Sequence, residues 1–133
     1  MRRVWLVAIA VVLMGAADAQ AIVPAPKVLT QKDSGRTIRL VPGQELRIRL
    51  KVCYSCGYHW ETQLAPNKAL LRRLKQRQES SGDCQAPCVG GAAVTIFRYR
   101  AKADGTTKLR LGYIPPGQQP ADKVFKLRVL VRS

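Results

Sequence analysis

Carboxylates are scarce in this chain. Asp and Glu number 8 against 23 Lys and Arg in 133 residues, a formal net charge of +15. There is one histidine, His59. Hydrolytic catalysis usually combines a histidine with a nucleophile and an orienting carboxylate. Here Asp33, Glu45, Asp83, Asp104 and Asp122 all read as turn or loop residues. His59 lies between Tyr58 and Trp60 and is expected to face solvent or a polar neighbour. No G-x-S-x-G, H-E-x-x-H, phosphate-loop or dinucleotide fingerprint occurs. An enzyme is therefore not expected, nor a cofactor or a catalytic metal. Aromatic residues are only 6% of the chain, and they are not interleaved with the basic residues as base stacking requires. Nucleic acid is not an expected partner. No apolar run approaches the roughly 20 residues of a membrane-spanning helix, and there is no internal repeat or low-complexity tract.

What is present is enough to fold. Hydrophobic residues make up 47% of the chain, more than a disordered polycation carries. The length suits one domain with a modest core. Arg2 and Arg3 precede an apolar run from Val4 to Met14, followed by Ala17-Asp18-Ala19. Basic start, short apolar run and A-x-A site together read as a secretory signal peptide over residues 1–19. Cleavage after Ala19 leaves 114 residues with 21 basic and 7 acidic side chains, a charge of +14. The expected product is secreted or periplasmic, without a stable membrane anchor, in an oxidising space where disulfides persist. Residues 20–37 carry little periodicity and read as a flexible lead-in to a domain over 38–133.

That domain reads as strands. Leu46, Ile48, Leu50 and Val52 alternate with Arg47, Arg49 and Lys51. Phe97, Tyr99 and Ala101 alternate with Arg98, Arg100 and Lys102. Leu109, Leu111 and Tyr113 alternate with Lys108 and Arg110, after an Asp104-Gly105 hairpin signal. Phe125, Leu127, Val129 and Val131 alternate with Lys126, Arg128 and Arg132. Period-two patterning in short runs between Gly and Pro predicts an all-β antiparallel sandwich or barrel. Asn67 to Gln78 differs: Leu70, Leu71 and Leu74 have helical spacing, and propensity alone predicts a short helix. The strand pattern places 11 of the basic side chains on the polar faces. They serve a soluble, aggregation-resistant surface, and they also suit an acidic partner surface.

Four cysteines remain. Cys53 and Cys56 form a C-x-x-C, and Cys84 and Cys88 a C-x-x-x-C. Zinc ligation is disfavoured by the unequal second gap and by export. A redox motif would open a helix, whereas this one follows a strand. Structural disulfides fit best, with three pairings open.

The loops between these strands carry a resemblance. Cys53-Tyr54-Ser55-Cys56-Gly57, then Tyr58-His59-Trp60, stands where the chagasin-type inhibitors of papain-like cysteine peptidases have Asn-Pro-Thr-Thr-Gly, an aromatic, one residue and Trp. Cys88-Val89-Gly90-Gly91 before the Phe97 strand is similar to their Gly-x-Gly-Gly. Gly105 to Pro116, with Leu109, Leu111, Tyr113, Ile114 and Pro115, resembles their Gly-x-x-x-Leu-x-Leu-x-Tyr-x-Arg-Pro frame. Phe125 to Val129 resembles their closing strand. The likeness runs from about Val41 to Ser133. Of the five-residue middle motif only Gly57 is kept; Pro115 replaces an arginine, and Gly117 an aromatic.

The resemblance implies an immunoglobulin-like sandwich whose three loops, around Cys53–Gly57, Cys88–Gly91 and Ile114–Gly117, enter a peptidase cleft and occlude it. It makes Ala69 to Gln78 a strand, which is the expectation adopted. It favours disulfides across the first two loops over two local ones, because a cross-loop bond would preorganise the wedge. The expected function is an exported, monomeric inhibitor of papain-like cysteine peptidases. The second expectation is a cationic binding module that has lost inhibition and holds an acidic partner.

Overall fold

The computed structural model describes residues 24–80, 93–117 and 119–133. The expected signal peptide, and with it Cys84, Cys88, Val89, Gly90 and Gly91, lies outside the described residues. Among the described residues nine strands form two sheets. They are β1 (Lys27–Thr30), β2 (Thr37–Leu40), β3 (Glu45–Val52), β4 (His59–Leu64), β5 (Leu71–Arg73), β6 (Arg77–Ser80), β7 (Ala93–Ala101), β8 (Gly105–Ile114) and β9 (Lys123–Val131). One sheet has the order β1-β3-β7-β5, with β6 also paired to β7; the other is β2-β9-β8-β4.

Alternation sets which face each strand buries. Leu46, Ile48 and Leu50 of β3 are fully buried, as are Phe97 and Tyr99 of β7, while the Arg and Lys residues between them reach solvent. Leu109 and Leu111 of β8 and Phe125, Leu127, Val129 and Val131 of β9 close the core from the second sheet. A one-residue slip in any of these strands would turn its whole apolar row outward, so the core itself fixes the register.

The sandwich is not purely antiparallel. The edge pairs β1–β3 and β2–β9 are parallel. Part of the segment read as a flexible lead-in is therefore ordered. Leu29 of β1 is 3% exposed and joins the core. A 3-10 turn (Gln31–Asp33) then carries the chain from one sheet to the other. Asp33 holds that crossing by accepting from the Thr30 N–H at 2.9 Å and from Arg36 at 3.0 Å.

Two further expectations are corrected. The Asp104-Gly105 signal does not make a hairpin within a sheet, because β7 and β8 belong to different sheets. The long ladders β3–β7 and β8–β9 pull the two strands apart, and the tight bend becomes a corner between sheets. The segment with helical leucine spacing is extended, as the resemblance implied. It is broken into β5 and β6, both along the same side of β7. Leu71 is buried in the core, its N–H donates to the Asn67 carbonyl at 2.9 Å and its strand pairs with β7, so tertiary context outweighs local propensity. Glu45, read as a loop residue, opens β3.

Candidate functional site at the loop end

The loop Cys53–Tyr58 leaves β3 and enters β4. Cys53 and Cys56 are bonded to each other, with Cα atoms 5.2 Å apart. This corrects the cross-loop expectation for that pair: the C-x-x-C spacing lets a single turn bring both sulfurs together, so no partner from a second loop is required. The Gly57 N–H donates to the Tyr54 carbonyl at 2.9 Å and the Tyr58 N–H to the Cys53 carbonyl at 3.1 Å. Gly57 has φ +84°, a left-handed conformation that glycine adopts without strain. A Cβ there would lie 3.0 Å from the Pro116 Cβ. Glycine is thus required twice, for the turn and for close approach to the β8–β9 loop. The motif forms a turn after a strand and does not open a helix, the placement that redox motifs have.

Below the turn stands a column of aromatic rings. Tyr58 stacks on Tyr113 with centroids 4.6 Å apart and planes at 17°, and the Trp60 ring lies 4.9 Å from Tyr113, tilted by 36°. The pairing of Trp60 with Tyr113 in the β4–β8 ladder puts these rings together. Their polar ends are also used. The Tyr113 hydroxyl accepts from the Cys53 N–H at 3.0 Å. The Trp60 indole N–H donates to the Lys51 carbonyl at 2.9 Å. The Tyr58 hydroxyl donates to Asp122 Oδ2 at 2.7 Å, and this bond to a carboxylate raises the Tyr58 pKa.

Two contacts give the Cys53–Tyr58 loop its central position. The Tyr54 and Thr95 hydroxyls are hydrogen-bonded at 2.9 Å, which ties the loop to the start of β7. Gly57 rests against Pro116, which ties it to the β8–β9 loop. That second loop is closed at its base by the Asp122 N–H donating to the Tyr113 carbonyl at 2.9 Å.

The predicted site residues fall into two groups. Tyr54, Ser55, Cys56, Gly57, Pro116 and Gly117 are exposed at the loop surface. Trp60 and Ile114 are 7% and 8% exposed, and Pro115 is buried as well. Those three, with the half-buried Tyr113, support the loops from below and do not present a contact surface. His59 is exposed as expected, with Nε2 3.3 Å from Glu61. Sequence reasoning missed Thr95 and Asp122 as anchors. Asp122 was legible in principle, since it immediately precedes the strand that pairs with Tyr113. Among the described residues no group of three or more His, Cys, Asp or Glu is placed to hold a metal ion.

Comparisons with known proteins bear on the fold and the lineage. The model of the chagasin family of peptidase inhibitors, I42, matches residues 39–129. No curated protein sequence matches the chain. Among solved structures, the cysteine protease inhibitor EhICP2 from Entamoeba histolytica is similar with a TM-score of 0.71 at 20% identity, over 81% of this chain and 96% of that one. Amebosin is similar with a TM-score of 0.60 at 23% identity, over 80% and 98% of the two chains. PbICP-C, solved in complex with falcipain-2, gives a TM-score of 0.52 at 17% identity, over 81% and 92%. At these identities the solved structures speak for the fold, and the family model speaks for the lineage. With that model spanning more than half of its residues, the chain belongs to the chagasin family of peptidase inhibitors and is not an enzyme.

Proposed function

We propose that the chain is an exported, monomeric, reversible inhibitor of papain-like cysteine peptidases that blocks the active-site cleft with its loop end. The carrying observation is the disulfide-closed turn Cys53–Gly57, seated on Pro116 and held from below by Tyr113. A loop that is ordered before binding loses less conformational entropy on entering a cleft. This matters here because the family's arginine and aromatic positions hold Pro115 and Gly117, and anchors of those types carry much of the energy at interfaces. The disulfide supplies by rigidity what the substituted anchors no longer supply by contact. The Tyr54–Thr95 bond fixes the middle loop to the start of β7. Cysteine peptidase partnership is supported by the family and by the PbICP-C complex with falcipain-2.

Titration of a panel of papain-like peptidases with the oxidised chain tests this reading. Competitive, reversible inhibition of at least one member is expected, without cleavage of the inhibitor. No inhibition of any member at micromolar concentration would overturn it.

A further inference from the structure

Ion pairing separates the two outer faces of the sandwich. On the β3–β7 face, Glu45 accepts from Arg47 at 3.1 Å and from Arg98 at 2.7 Å, and Glu79 lies 3.1 Å from Arg49. The two described carboxylates of that face are thus spent on three of its cations. On the β8–β9 face the ladder sets Lys108 opposite Arg128 and Arg110 opposite Lys126. None of these four has a carboxylate partner among the described residues. Like charges directly opposite each other destabilise a sheet, and here two such pairs are neighbours on one face. Protection of an exposed edge does not account for them, because that device belongs on edge strands. β8 and β9 are the two central strands of their sheet. The four side chains line a shallow groove of about 320 Å³, together with Arg36 and Leu64.

We infer that this groove is a second binding site, taking a linear sulfated polysaccharide. Cross-strand neighbours stand about 5 Å apart, and successive same-face residues about 7 Å apart along a strand. The four cations therefore form a rigid lattice for point anions. Lysine ammonium and arginine guanidinium groups both bind sulfate through charge-assisted hydrogen bonds. Other polyanions fit less well. No aromatic side chain lines the groove, so bases find nothing to stack on. Both strands are already laddered on each side, so an acidic peptide finds no free backbone edge to extend. The concave surface is a poor match to a flat bilayer. The opposed charges are held in place by the core register of Leu109, Leu111 and Leu127, and the polysaccharide relieves their repulsion.

The test uses the full oxidised chain and a heparin oligosaccharide of defined length. Lys108→Gln/Arg128→Gln is compared with Arg100→Gln/Lys102→Gln, which removes the same charge elsewhere. The groove variant should bind about tenfold more weakly at physiological salt, with the salt slope reduced by about two. The control should change less than about threefold. Relief of a like-charge pair should also raise the groove variant's Tm by about 2–6 °C, showing that lost binding is not lost folding. Arg110→Gln/Lys126→Gln should behave in the same way. Equal weakening by groove and control variants would reduce the effect to net charge and overturn the proposal. So would equal or tighter binding of poly-glutamate, single-stranded DNA or anionic vesicles.

Discussion

Tyr113 does more at the loop end than any other side chain. Its ring packs against both Tyr58 and Trp60, and its hydroxyl accepts from the Cys53 N–H. Tyr113→Phe keeps the rings and removes the acceptor. A lost hydrogen bond that leaves a partly buried backbone donor unpaired costs about 1 kcal/mol. Urea unfolding should show that loss, and inhibition should weaken beyond it because the turn carrying Ser55 and Cys56 is no longer held at its base. Unchanged stability and unchanged inhibition would show that the hydroxyl does not support the turn. The sequence did show that Tyr113 and Trp60 matter, through their place in recurring frames. It did not show that they act from beneath, because burial depends on which strand lies across from them.

At the scale of strands, the outer face of β3 and β7 shows how register turns charge into stability. Arg47 faces Arg98 across the ladder, and Glu45 bridges the two guanidinium groups. Hydrogen bonding to Arg47, reinforced by Arg98, lowers the Glu45 pKa to about 2 against burial that pushes it up. A carboxyl whose folded pKa is depressed stabilises the fold above its unfolded pKa of 4.5, and the stabilisation fades as pH falls from there to about 2. The Arg47 side chain is 41% exposed, so solvent screening reduces the effect to about 1–2 kcal/mol near neutral pH. Glu45→Gln should therefore unfold at lower urea than the parent near neutrality, and the two midpoints should converge as the pH approaches 2. A gap that stays constant with pH would contradict this account. The alternation of β3, β7, β8 and β9 was legible because each buries one face. What each charge stands opposite was not, since pairing partners are fixed by long-range ladders. β1 escaped notice because four residues with one buried leucine leave no readable period.

At the scale of the whole molecule, a sandwich built from modest amphipathic strands does two separate things. The disulfide, Pro116 and the Tyr113 hydroxyl hold the Cys53–Gly57 turn at one end, and that end carries the inhibitory reading. Its broad faces carry the charge: on one sheet Glu45 and Glu79 pair with three of the cations, and on the other Lys108, Arg110, Lys126 and Arg128 stand opposed without a carboxylate partner among the described residues. Net charge alone, at +15, gave no hint of this division. Nor did cysteine spacing decide between local and cross-loop bonds: the structure shows the local Cys53–Cys56 bond, which closes one turn, while contact with Pro116 and the Tyr54–Thr95 hydrogen bond tie that turn to the β8–β9 loop and to the start of β7. On the proposed function, this closed turn is the wedge that enters the peptidase cleft. The most direct test is the inhibition constant of the oxidised chain against a susceptible papain-like peptidase, compared with that of Cys53→Ser/Cys56→Ser. Removing the closure should weaken inhibition about 10–100-fold, as expected for several residues that must be ordered on binding, while circular dichroism shows the sandwich intact. An inhibition constant unchanged by the double substitution would contradict the claim.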